Sequence, residues 1–208
     1  MKNKIIKVLS IILIIAAVGL FVGGYILLNK KTDKKPVEKI KTIDNIQTKE
    51  FDYVLYDSKS DLYKEYFAKL KEELTKDEIN DEEYAKLVSE LFVIDFYSLE
   101  DKKTSTDIGG LDFLYEDMKE NFVLKASDTI YKYVESNVYG DRKQSLPKVT
   151  GTEIKTVVKK NVNINNVSDV NGYVVVVTIK YAKDLNFPKE ATLTLVHKDN
   201  KIYIVEIK

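Results

Sequence analysis

A chain of 208 residues, 44% hydrophobic and 32% charged, has the composition of a globular protein, which excludes a disordered one. Its 33 basic and 33 acidic residues cancel, so the basic surplus typical of nucleic-acid binders is missing. All the basic residues except Arg142 are lysine, the poorer partner for phosphates and base edges; cysteine is absent, which excludes disulfides, thiolate metal sites, cysteine nucleophiles and a lipidated cysteine.

The chain opens with Lys2, Lys4 and Lys7, then runs uncharged from Val8 to Leu28. As a helix rising about 1.5 Å per residue, this run spans about 31 Å, the thickness of a bilayer's hydrocarbon core. It is longer than the roughly 7–15-residue apolar core of a cleaved signal peptide, and no A-x-A-type site follows it. Residues 1–7 therefore read as a basic tail and 8–28 as an uncleaved transmembrane anchor. Ala16, Gly19 and Gly23 share one helical face, a small-residue stripe of the kind that lets membrane helices dimerise.

Orientation rests on two opposed signals. Lys30, Lys31, Lys34, Lys35, Lys39 and Lys41 outnumber the lysines before the anchor, and the positive-inside rule would hold that side in the cytoplasm. A short basic tail followed by a long apolar run is, however, the form of an export signal, and long domains translocate largely regardless of charge. The expectation taken here is a single-pass cell-membrane protein with its bulk outside.

Residues 29–50 are polar and lysine-rich and read as a linker, with Phe51, Tyr53 and Leu55 as an extended lead-in to a domain over 51–208. Ser58 and Ser60 are candidate caps for a helix carrying Leu62, Tyr63, Tyr66, Phe67, Leu70 and Leu74 at helical spacing. Asn80 with Glu83 resembles a capping box, and a second helix follows with Tyr84, Leu87, Val88, Leu91, Phe92 and Leu99 on its apolar face. After a polar loop from Glu100 to Asp107 and the break at Gly109-Gly110, the stripe resumes at Leu111, Leu114, Met118, Phe122, Ala126, Ile130 and Val134, as one bent helix or two, until Gly140.

Beyond Pro147 the apolar period changes from 3.6 to 2. Thr152–Ile164 reads as an irregular strand and Asn171-Gly172 as a turn. Tyr173–Lys183 is the clearest strand, with Tyr173, Val175, Val177, Ile179 and Tyr181 on one face and enough apolar residues on the other to make it central. Glu190–His197 and Lys201–Lys208 form a hairpin around Asp199-Asn200. Helices followed by an antiparallel meander of about four strands predict an α+β domain with its helices on one sheet face.

Over roughly residues 58–208 this order of elements, including Phe96-Tyr97-Ser98-Leu99 and the Tyr173–Tyr181 strand, resembles the cone-shaped nuclear-transport-factor-2-like (NTF2-like, cystatin-like) fold. It resembles in particular the domains of membrane-anchored VirB8-type conjugation proteins, which also follow one N-terminal membrane helix. The resemblance implies a fold and an assembly role. It carries over no functional residue.

Among candidates for chemistry, Asp95 stands out because it falls on the apolar stripe of the second helix, between Leu91 and Leu99. Buried in a ligand pocket, it would have a raised pKa and could act as a general base. Alternatively it accepts hydrogen bonds from a tyrosine or a loop N–H. His197, the only histidine, sits by the final hairpin and reads as an exposed turn residue. The acidic clusters lack calcium-loop spacing, one histidine without cysteine makes a zinc site implausible, and Gly109-Gly110 lacks a phosphate-cradle pattern. No catalytic residue, metal or cofactor is expected. The favoured reading is a non-enzymatic scaffold that binds other envelope proteins and the membrane, with homodimerisation open and nucleic acid not expected. The alternatives are a ligand-binding or enzymatic cone using Asp95 and, with only seven residues before the anchor, a transmembrane sensor.

Overall fold

Two helices begin where the sequence caps them. Ser60 accepts from the Tyr63 N–H at 3.2 Å and starts α1 (Asp61–Leu74). Asn80 accepts from the Glu83 N–H at 3.1 Å and starts α2 (Asp81–Tyr97). The reciprocal half of the cap comes from an unexpected residue: the Asn80 N–H donates to Oε1 of buried Glu73, at 2.8 Å, which ties the end of α1 to the start of α2. The computed structural model describes residues 40–47, 51–164 and 166–208, so the anchor and its Ala16, Gly19 and Gly23 face lie outside the described residues.

The domain is α+β, with three helices packed against a four-stranded antiparallel sheet. That sheet has the order β3 (Val149–Ile164), β4 (Val167–Tyr181), β5 (Glu190–Lys198), β6 (Lys201–Ile207). Ahead of it stands a separate hairpin, β1 (Thr42–Gln47) with β2 (Asp52–Tyr56), so the domain reaches into the stretch that composition marks as linker. β1 is polar and buries only Ile46, which is why composition hides it. Tyr53 of β2 secures the hairpin: its hydroxyl lies 2.6 Å from that of Tyr84, which also accepts the Ile202 N–H.

α2 is the axis of the core and lies against all four strands of the main sheet. Leu91, Phe92, Val93, Ile94 and Phe96 are all buried, so the helix is enclosed nearly all round. β4 presents Tyr173, Val175, Val177 and Ile179 to it, as the alternation predicts. The third helical stretch is shorter than the stripe from Leu111 to Val134 suggests. A 3₁₀ turn at Leu111–Phe113 precedes α3 (Glu116–Asp128), and residues 129–148 are irregular. There Tyr131 is buried, accepting from the Gly109 N–H and donating to the Phe96 carbonyl, contacts a continuing helix could not provide.

Asn171-Gly172 is not a turn. Gly172 lies inside β4, opposite Lys160 of β3, and the chain reverses instead between Ile164 and Val167, where Asn166 has φ +66°. β4 pairs with β5 only over Tyr173–Thr178, so the far end of the β3–β4 hairpin extends past β5 as an arm. Its Val162, Ile164 and Val167 pack on Val196 and Val205, in a cluster separate from the main core. Gly172 lets the arm close: a Cβ there would stand 2.6 Å from Val162 Cγ2 and 2.8 Å from the Leu195 carbonyl oxygen. The expected β5–β6 turn holds, with Asp199 and Asn200 at φ +50° and +65°, the two positive values of a type I′ hairpin.

Candidate functional site

Asp95 is 8% exposed on the last turn of α2. Lys102 Nζ donates to its Oδ1 at 2.8 Å; Lys59 Nζ at 2.7 Å and the Gly110 N–H at 2.8 Å both donate to Oδ2. One carboxylate thus joins four segments: the loop after β2, α2, the turn after α2 and the glycine pair. Close approach makes the glycines necessary. A Cβ on Gly109 would stand 2.3 Å from the Asp95 carbonyl oxygen, and Gly110 has φ +80° with the Phe92 ring 2.5 Å from where its Cβ would be.

Burial pushes the Asp95 carboxyl up, but the ammonium groups of Lys102 and Lys59 outweigh it and hold the pKa at about 2. A pocket base would need the opposite shift. The loop N–H partner matches the structural alternative of the sequence reading, whereas the two lysines were not foreseen. The adjoining cavity, about 110 Å³, is lined by Lys59, Tyr63, Asp101, Lys102, Lys103 and Asp107 together with Asp95. A carboxylate that accepts from three donors, two of them cations, is built to hold chain segments together.

His197 is not an exposed turn residue. Its side chain is 26% exposed, Nδ1 lies 2.7 Å from Asp169 Oδ2, and the same oxygen accepts its backbone N–H at 2.8 Å. Asp169 is on the β3–β4 arm, so this contact fastens the arm to β5. Burial raises the Asp169 carboxyl, yet the N–H donors of His197 and Asn171 bring it below its usual range. Nε2 is buried without a hydrogen-bond partner, 3.6 Å from Asp81 Oδ2. Among the described residues, no group of three or more His, Asp or Glu side chains is placed to hold a metal ion.

Two open surfaces lie elsewhere among the described residues. One, about 410 Å³, lies between β2, the β5–β6 turn and the start of α3, and includes Tyr56, Tyr115, Tyr203, Lys119, Lys198 and Lys201. Its cations are engaged: Lys201 contacts Asp52, Lys119 contacts Glu116, and Lys198 sits 4.6 Å over the Tyr115 ring. The other is a groove of about 910 Å³ between α3 and β6, with Phe96, Met118, Phe122, Ala126, Val205 and Ile207 along it. α3 fully buries only Ala126 and leaves Leu124 58% exposed, so it forms one wall of the groove more than a part of the core.

No protein-family model, no curated protein and no solved structure matches this chain. Among the described residues, no helix is long and apolar enough to cross a membrane.

Proposed function

We propose that this chain is a single-pass membrane-anchored bacterial envelope protein whose extracytoplasmic domain, an NTF2-like cone, binds other proteins as a non-catalytic assembly module. The observation that carries the reading is the contrast between the two kinds of site. The buried Asp95 carboxylate is consumed by Lys59, Lys102 and Gly110, whereas the surface along α3 and β6 is a wide, open groove in which Met118, Phe122 and Ala126 alternate with Asp117, Asn121 and Lys125. A groove of that character fits recognition of another chain better than bond-making. The uncharged run from Val8 to Leu28 supports the membrane anchor, and helices followed by an antiparallel meander support the NTF2-like and VirB8-like resemblance.

The test is blue-native electrophoresis of native membranes solubilised in mild detergent. An assembly module is expected in a band well above a detergent-bound monomer, and Asp95→Asn should leave that band in place wherever the variant folds. Migration as a monomer at every detergent concentration would contradict the assembly role. Loss of the complex in a folded Asp95→Asn variant would favour the ligand-binding cone instead.

A further inference from the structure

β6 ends the sheet, and its outer edge is only partly covered. Among the described residues that edge is bridged only where Leu114 pairs in parallel with Ile204, the Tyr115 N–H donating to the Ile204 carbonyl at 2.9 Å. The chain then enters α3 and leaves the rest of the edge. Further along, Thr192 and Lys208 exchange both backbone hydrogen bonds, at 2.8 and 2.9 Å. Antiparallel pairing alternates, so Ile207, opposite Leu193, directs its own N–H and C=O away from β5. Ile207 itself lines the groove walled by Met118, Phe122 and Ala126 of α3.

We propose that this groove receives an extended segment of a partner protein, which adds to the open edge of β6 as a further strand beneath α3. The proposal rests on the binding-module reading above and names the kind of partner. Leu114 already occupies the first position along the edge, so a docked strand would continue an existing pairing. The wall from Met118 to Ala126 is about 12 Å long, the length of about three to four residues of strand. Main-chain hydrogen bonds to Ile207 give affinity. Alternate apolar side chains of the segment rest against Phe96 and Phe122 and give selectivity. Glu206 on the floor is paired with Lys208 and with the Thr194 hydroxyl, while Asp117 and Lys125 also line the groove, so the apolar side chains of the segment fall to Phe96, Met118, Phe122 and Ala126.

The experiment uses the full chain in its native membrane, with a benzophenone amino acid at exposed Asn121, which lines the groove, and mass spectrometry of the photo-adduct. The expected result is an adduct with a different protein, mapped to one short segment of alternating apolar residues. Ile207→Pro removes the outward N–H without touching a hydrogen bond inside the sheet, and proline is tolerated at such edge positions. It should abolish the adduct, while Ile207→Val keeps it. Met118→Lys gives the same loss by a route that leaves β6 unchanged, and so serves if the proline variant fails to fold. Persistence of the blue-native complex and of the adduct in both folded variants would overturn the groove while leaving the binding module standing. An adduct with a second copy of this chain, or with a partner's helical segment, would overturn it as well. A wild-type chain that is monomeric and forms no adduct would remove both readings together.

Discussion

Asp95 and Lys102 are 8% and 7% exposed, so each depends on the other to offset the cost of burying a charge. Asp95→Leu leaves Lys102 and the Gly110 N–H without their acceptor and should lower stability by about 3–5 kcal/mol. The double variant Asp95→Leu/Lys102→Leu should recover much of that loss, because removing both charges removes the desolvation cost with them. Urea unfolding followed by tyrosine fluorescence checks this, and a double variant weaker than Asp95→Leu would refute the pairing. The pH dependence follows from the depressed pKa. The carboxylate's contribution is complete above its unfolded pKa, near 4, and disappears as pH falls through about 2. Stability should therefore drop by on the order of 2 kcal/mol across that window through this residue, and Asp95→Leu should flatten the acid limb of the profile.

At the scale of elements, the arm formed by β3 and β4 depends on one glycine. Gly172→Ala forces a methyl group against Val162 Cγ2 and the Leu195 carbonyl, and should cost about 1–3 kcal/mol. The damage should be local, with faster amide exchange over the arm and at Val196 and Val205, while α2 keeps its protection. Uniform acceleration in hydrogen-exchange mass spectrometry would show that the arm is not a separate unit. The same glycine shows what the sequence could and could not reveal. Asn-Gly between apolar runs signals a turn, yet here the pair sits in a strand because a long-range approach by Val162 outweighs local preference. Ser60, Asn80 and Asp199-Asn200 were legible because caps and tight turns are decided by neighbours a few residues away. Asp95 was legible as a charge on an apolar stripe, but Lys59 lies 36 residues away and Lys102, though 7 residues on, lies past the end of α2 at Tyr97. Tyr131 was hidden because the stripe that passes it places Ile130 and Val134, not the tyrosine, on the apolar face. The groove was not legible either, since it depends on α3 stopping at Asp128 and on β6 ending the sheet.

For the whole molecule, the proposal is a binding domain from Ile40 onward, tethered by an anchor over residues 8–28 and held outside the cell. Lysines on both sides of the anchor leave charge counting opposed to the export-like start, so location has to be measured. Ser136 is exposed and the chain has no cysteine, so Ser136→Cys introduces a single thiol without disturbing the core. Intact cells would be treated with a membrane-impermeant maleimide and the labelled protein sized on a denaturing gel. The account predicts labelling without lysis, on a membrane-bound species of the full 23.9 kDa. Labelling that requires lysis would place the domain in the cytoplasm and contradict it.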